Sequence, residues 1–542
     1  MLNSLNLELN AIEKLIQKGG FSEALNDIMN LKKTVKKNSQ EHFQLLIWEN
    51  YLKIKLGDYS KAIKKLDNLI DSIKKKGFQL LELKALYIKI SILSDVGKFD
   101  ETLPAINVSE SLLENIEDKN QKKQLEAQLA LKKGQYYFAK GEDKVAKNLF
   151  KESNTICNEI NCYHIKAQVL LYLSTIARRE GDKEAALNLI NESLRIAGEN
   201  EFNFIGGRAF SNLAILYNIE GKLDETLTYL QKGLELLKQV GAIYDLARLM
   251  VNLGVVHHFS GNLSTSLNYY EQALENFQKV GNNITIASTI YNIGLIHNLQ
   301  GNLRDALANY EYTLPLFQEL SNVSLITAAY NSIGKVYFDL GLIEEAETHL
   351  SLVYQLKDQI TPTSLSKALF YLVQVLISRN KVNMANNLVN ELEQINIEQE
   401  SEVIKHRFLF LKCLVLGLEE NAGLGNIEEL YLQVINEPVT DQETTINAII
   451  NYCYLLIKKY SQSKNEEDLD RLKYYSDRLS KLATKQQSKL LFAEHYWIKS
   501  IIASLENNEA EAKAISKQAS EMAKEMEFMR LLNKIMEYNL QR

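Results

Sequence analysis

The chain predicts an all-α solenoid of antiparallel helix hairpins, and three observations carry that prediction. Glycine recurs as Gly57, Gly97, Gly141, Gly181, Gly221, Gly261, Gly301 and Gly341, at intervals of 40 residues with a single 44. Self-similarity at a period of roughly 20–50 residues marks stacked repeats. Each of these glycines separates two amphipathic stretches. Proline, which breaks helix interiors, occurs only four times in 542 residues. That length also exceeds the roughly 250–300 residues at which a single core stops growing. Repeats escape the limit because each unit packs only on its neighbours.

The composition fits folding throughout: 46% of residues are hydrophobic and 24% charged, as in globular proteins. A net charge of −6 gives no bulk attraction to nucleic acid or anionic lipid, so neither is an expected partner. Cys157, Cys162, Cys413 and Cys453 form no C-x-x-C pair and read as reduced thiols. The N-terminal stretch lacks a basic region and carries Glu8 and Glu13, unlike a signal peptide. No run approaches the ~20 apolar residues of a membrane span. The expectation is a cytoplasmic protein without cofactor or metal.

A first hairpin fits residues 3–37, with Gly19, Gly20 and Ala24 in small-residue positions. Residues 41–358 hold the forty-residue register. The unit 282–320 is the clearest. Ile286, Ile290, Ile293 and Ile296 share one helical face, and Gly301 closes that helix. Asn302 stands at the next N-cap, with Asp305 three residues on. Leu303, Ala306, Leu307, Tyr310 and Leu314 line one face of the second helix. Beyond residue 360 the pattern weakens, and Lys381 stands where glycine is due. Residues 402–483 read as helix pairs without the recurring small residues. Residues 436–444 and 461–470 read as polar loops. A last pair spans 488–524, and 527–542 forms an amphipathic cap. The count is about thirteen hairpins plus the cap, divided as a regular array over 1–360 and a diverged part over 361–542.

Counting from Ala287, glycine stands at the eighth and fifteenth positions (Gly294, Gly301), alanine at the twentieth (Ala306) and tyrosine at the twenty-fourth (Tyr310). The pattern recurs at Gly134, Gly141, Ala146 and Phe150, and again at Gly254, Gly261, Ser266 and Tyr270. This resembles the tetratricopeptide repeat, whose small residues let the two helices cross closely. The period departs from the usual ~34 residues. The forty-residue form resembles kinesin light chains, Pins-type adaptors and bacterial peptide-sensing regulators. The resemblance implies a right-handed superhelix of helices about 17 residues and ~25 Å long.

No catalytic signature is present: no G-x-S-x-G, phosphate loop, dinucleotide fingerprint or H-E-x-x-H. The chain is therefore not expected to be an enzyme. His257 and His297 hold equivalent positions one repeat apart, on helices that pack ~8–10 Å apart. Zinc nitrogens lie ~2 Å from the metal, so these histidines read as core residues filling a tyrosine position. Cys157 and Cys162 flank an inter-helix turn and read as ordinary thiols, with a disulfide as the alternative.

The resemblance assigns positions 2, 5, 6, 9, 12 and 13 of each unit to the concave face. In this chain they give Arg178 and Arg179 upstream, and then Arg208, Asn212 and Ile215. Arg248, Asn252, Val255 and His258 follow, then Tyr291, Asn292, Leu295 and Asn298, and then Asn331 and Lys335. Asn212, Asn252 and Asn292 form a ladder whose amides suit the backbone of an extended peptide. The arginines and Lys335 suit acidic groups on that peptide. The expected function is an adaptor that binds an extended peptide or partner helix. The alternative is a peptide-sensing regulator whose superhelix changes on binding. Such regulators carry an N-terminal effector part, whereas here the repeats start at the first residues.

Overall fold

The computed structural model describes residues 2–57, 62–95, 97–320, 322–419, 423–439 and 441–541. Among them every regular element is helical, and the helices pair in chain order. The first seven hairpins are α1 (Leu2–Lys18) with α2 (Phe21–Leu31), α3 (Gln40–Lys55) with α4 (Ala62–Lys75), α5 (Gln79–Asp95) with α6 (Phe99–Glu114), α7 (Lys119–Ala139) with α8 (Asp143–Ile160), α9 (Tyr163–Arg179) with α10 (Lys183–Glu199), α11 (Asn203–Ile219) with α12 (Leu223–Val240), and α13 (Ile243–Phe259) with α14 (Leu263–Val280). The next six are α15 (Asn283–Gln300) with α16 (Leu303–Glu319), α17 (Val323–Asp339) with α18 (Ile343–Gln355), α19 (Pro362–Ser378) with α20 (Val382–Glu398), α21 (Glu402–Leu416) with α22 (Leu424–Asn436), α23 (Gln442–Ser463) with α24 (Glu466–Gln486), and α25 (Lys489–Leu505) with α26 (Glu509–Glu525). The helix α27 (Met529–Gln541) follows. No helix among the described residues is long and apolar enough to cross a membrane.

The recurring residues explain the hairpins. In hairpins one and three to ten a left-handed residue follows the first helix and reverses the chain, and the next N–H donates to a carbonyl five residues back: Asp182 to Ala177 (2.9 Å), Lys222 to Tyr217 (3.0 Å), Asn302 to His297 (2.9 Å). At hairpin ten the left-handed residue is Asn380, at φ +56°, and Lys381 makes the equivalent bond to Leu376. Lys381 therefore follows the glycine position instead of filling it. Asparagine is among the few non-glycine residues that adopt this conformation readily.

Inside the hairpins, the eighth-position glycine faces the large residue at position twenty-four. A Cβ on Gly134, Gly254 or Gly294 would lie 2.5, 2.6 or 2.7 Å from the ring of Phe150, Tyr270 or Tyr310. Those rings are fully buried. The glycine is the space that the ring occupies.

Some local expectations shift. Residues 461–470 are not a loop: α23 runs through Ser463 and α24 starts at Glu466, with Asn465 capping the Glu467 N–H at 3.2 Å. The other loop contracts to Glu437–Asp441, of which Thr440 lies outside the described residues. Asn302 holds the N-cap position without a side-chain cap bond; its amide turns to the His297 ring at 3.5 Å. Pro104 and Pro315 lie inside α6 and α16 on exposed faces, where water can reach the freed carbonyls. Near residue 360, α18 stops early, a 3-10 turn covers Lys357–Gln359, and Thr361 caps the Ser364 N–H with Pro362 opening α19.

The chain forms two compact units, Met1–Val256 with Asn268–Ile286, and His257–Leu267 with Ala287–Arg542. In the first unit the turns within hairpins one to three sit against turns about five hairpins later. Gly19 meets Val240 and the Phe204 backbone, Gly57 meets Ile243, and Gly97 meets Ile284. Asn282 donates to the Asp95 carbonyl at 3.1 Å, and the Phe21 and Phe204 rings lie 5.6 Å apart. The second unit repeats the device. Gly261 meets the Lys485 carbonyl, Gly301 meets Met526, Gly341 meets Met529, and Arg304 pairs with Glu527 at 2.7 Å. Each unit thereby closes around its first-of-pair helices and leaves a cavity against them.

Candidate functional site

In the first unit, the cavity of about 270 Å³ is lined by α1, α3, α5, α7, α9, α11 and α13. Its lining inherits the forty-residue period. Gln44, Lys84, Gln124, His164, Phe204 and Tyr244 form one row, and Trp48, Ile88, Gln128, Gln168, Arg208 and Arg248 the next. Two rows four residues apart on each helix are one stripe. The basic residues Lys55, Lys84, Lys132, Arg208 and Arg248 face the acidic Glu13, Asp95 and Asp245.

The pairing inside is incomplete. Arg208 Nε lies 3.6 Å from Asp245 Oδ1, and its Nη2 donates to the Tyr172 hydroxyl at 3.4 Å. Burial opposes both the Arg208 and the Lys55 charge. Tyr172 and Asp245 outweigh it at Arg208, and Tyr51, Asp245 and Asp95 at Lys55, so both are raised. Lys132 feels the pull of Asp95 but has no close ion pair: it donates to Gln135 Oε1 at 3.3 Å, and no carboxylate among the described residues lies within ion-pair distance. Burial, with Lys55 and Arg208 adding repulsion, pushes its ammonium down to about 8. Burial and Lys132 push His164 down to about 4, so that imidazole is neutral near pH 7. Burial also raises the Asp95 carboxyl, against the pull of Lys55. The cavity therefore holds surplus positive charge in a desolvated setting, which an anion relieves.

In the second unit, a cavity of about 390 Å³ is lined by residues from α13 to α15, α17, α19, α23, α24 and α25, and by Phe528 and Arg530 around the start of α27. Its walls are more apolar, with Leu263, Leu295, Phe338, Phe370, Ile446 and Phe528 among them. Phe259, 70% exposed, stands in the same lining with His258 stacked on it at 5.2 Å. The acids are mostly satisfied. Asp339 takes Lys335 at 3.0 Å and Arg530 at 3.1 Å, and Glu443 accepts from Tyr371 at 2.6 Å.

The residues singled out from the sequence fall into several places. Arg208 and Arg248 line the first cavity. His258, Leu295, Asn298 and Lys335 line the second. The ladder amides are engaged inside the first unit: Asn212 donates to the Leu171 carbonyl (3.3 Å) and Thr175 (3.4 Å), and Asn252 to Ser211 (3.1 Å). Tyr291 shares a 2.9 Å bond with Ser332, and Asn331 is buried. Ile215, Val255 and Asn292 are half-buried outside both linings. Arg178 and Arg179 also lie outside both linings; Arg179 forks onto Asp143 at 2.8 and 3.1 Å and lies 4.3 Å over the Phe138 ring. Lys55, Lys84, Asp95, Lys132, His164 and Asp245 escaped the sequence reading. Extending the Arg208/Arg248 position upstream by forties leads to Gln168, Gln128, Ile88 and Trp48, and the position one turn earlier on each helix leads to His164 and Lys84.

A third cluster, Glu402, His406 and Glu437, brings three potential metal-ligating atoms within 4.8 Å. The Lys405 ammonium already bridges both carboxylates, at 3.1 and 2.9 Å, so the cluster is satisfied as an ion-pair network.

Residues 246–534 match the MalT-like TPR region, and residues 207–279 match the tetratricopeptide repeat. No curated protein matches the chain. Among solved structures, the apo form of the quorum sensor NprR from B. thuringiensis superposes with a TM-score of 0.52 at 13% identity, over 64% of this chain and 97% of that one. A Rap protein complexed with Competence and Sporulation Factor gives 0.48 at 14% identity, over 66% of this chain and 98% of that one. At such identities the likeness is one of fold. The MalT-like match covers more than half of the chain, and the chain belongs to the MalT-like TPR family.

Proposed function

We propose that this protein is an interaction scaffold that holds an extended, acidic peptide or partner helix against its inner helices, with the cavity of the first unit as the principal seat. The carrying observation is the desolvated surplus of positive charge there, with no carboxylate within ion-pair distance of Lys132 among the described residues. The residues proposed to bind are Lys132, Arg208 and Arg248, with Lys55 and Lys84 beside them. Carboxylates on the ligand supply what the chain withholds. The change of repeat character near residue 360 is kept as a proposed boundary between a regular array and a diverged part.

Lys132→Met tests this reading. It removes a half-buried charge that has no carboxylate within ion-pair distance among the described residues, so the free protein melts no lower than wild type. Its affinity for a glutamate-rich octapeptide falls at least tenfold. A variant that binds that peptide as tightly as wild type sinks the reading. Arg248→Ala with Asn252→Ala and Asn292→Ala then reports whether the amide ladder adds to the same seat.

A second reading, the peptide-sensing regulator, is favoured by the energetic frustration of Lys132 in the free state and by the fold shared with a quorum sensor. It requires that the octapeptide slow amide exchange in α7 and α9 beyond the residues it touches. Protection confined to cavity residues leaves the plain scaffold.

A further inference from the structure

The second unit's cavity differs in chemistry from the first, and three buried polar atoms of its lining have no hydrogen-bond partner among the described residues: the acceptors Glu494 Oε1 and Asn298 Oδ1, and the donor Arg530 Nε. Glu494 is 2% exposed; its Oε2 accepts from Tyr454 at 3.2 Å, while Oε1 is buried with no hydrogen-bond partner among the described residues. Arg530 Nη2 stands 4.0 Å from that oxygen, beyond hydrogen-bond reach, while Arg530 Nε pairs with Asp339 Oδ1 at 3.1 Å. Asn298 Oδ1, in the same lining, is likewise buried and unmatched. A buried carboxylate oxygen without a donor is a costly arrangement, because it has lost its water and gained nothing in return. The apolar part of the lining is Leu263, Leu295, Phe338, Phe370, Ile446 and Phe528.

We infer that this cavity is a second binding site, selective for an apolar ligand that presents an N–H donor to Glu494 Oε1 and Asn298. The inference goes beyond the function proposed above and uses none of its residues. The lining balances Lys335, Lys367 and Arg530 against Asp339, Glu443 and Glu494, so no surplus charge draws in an anion. Arg530 Nε is spent on the Asp339 ion pair at 3.1 Å, so the two acceptors still lack a donor, and the apolar walls favour a ligand that brings one on a hydrocarbon body. Such an N–H belongs either to a primary ammonium, as at a peptide amino terminus or lysine, or to a neutral amide, as in a peptide backbone.

Three probes separate these sources on the full chain by titration calorimetry: n-octylammonium, N-octylacetamide and octanoate. One or both N–H probes are expected to bind. Glu494→Gln should weaken the ammonium at least tenfold, and Asn298→Leu should weaken every N–H probe that binds at least threefold. The octanoate affinity should be the same in wild type and both variants. A tighter ammonium assigns a terminal amine or lysine, and an equal or tighter amide assigns backbone. The inference is overturned if neither N–H probe binds, if both variants leave their affinities unchanged, or if octanoate is weakened as much as they are. Glu494→Gln preserves volume, and Asn298→Leu removes the other oxygen without touching the carboxylate. Melting curves for both variants establish that they are folded.

Discussion

The inter-helix glycines look identical in sequence yet do two different jobs. All adopt positive φ: Gly181 at +84°, Gly221 at +72° and Gly261 at +80°. Around Gly181 and Gly221 a Cβ meets nothing within 4 Å, whereas on Gly261 it would lie 1.6 Å from the Lys485 carbonyl oxygen. Gly221→Ala should therefore cost only the left-handed strain, about 1–2 kcal/mol. Gly261→Ala should cost distinctly more, since a backbone atom cannot step aside. Urea midpoints of the two variants measure the difference, and equal midpoints would mean that the two turns are not in contact. The spacing revealed the shared role; the second role depends on a residue 224 positions away and has no local signal.

At the scale of the element, the hairpin depends on a reciprocal pair: a glycine in the first helix and a large ring in the second. Gly294→Ala pushes a methyl toward the Tyr310 ring and should lower stability by about 1–3 kcal/mol. Combined with Tyr310→Leu, the loss should be less than the sum of the two single losses, because the smaller side chain vacates the contested space. Additive losses in a double-mutant cycle would show that the pair does not set the helix crossing. This element was legible in advance, since both members recur every forty residues. The turn at Asn380 was read one residue late, because asparagine and glycine meet the same dihedral demand with different letters. The loop placed over 461–470 failed for a related reason: a polar run on a helix surface and a polar run in a loop have the same composition.

At the scale of the whole molecule, two compact units each enclose a cavity, one cationic and one apolar with an unmatched carboxylate oxygen. The cationic cavity carries a pH signature. Below about pH 8 the Lys132 ammonium is charged, and above it the proton is lost. Affinity for an acidic peptide should fall as pH rises through about 8, while Lys132→Met should flatten that limb of the profile. Lys55 and Arg208, both raised, stay charged across the window, and His164 stays neutral. The stability contribution has the opposite course. Between about 8 and the ordinary lysine value of 10.5, the unfolded chain holds a proton that the folded chain has released, so stability from this group rises with pH there. A pH-independent affinity would remove Lys132 from the binding surface.

The sequence by itself determined the helices, their pairing, the number of hairpins and the small residues at which the paired helices cross. All of these follow from periodicity within about forty residues, where the i, i+4 stripe and the turn residues are written next to one another. It also placed Arg208 and Arg248 on the inner stripe. Only the tertiary structure decided what that stripe encloses. Whether Lys132 finds a carboxylate, whether Asn212 and Asn252 face a ligand or their own neighbours, and whether Glu494 keeps a free oxygen depend on helices brought together from distant hairpins. Local period sets which face a side chain takes. The charges and hydrogen-bond partners across a cavity are set by how the repeats close, and that closure is a sum of small rotations recorded at no single position in the chain.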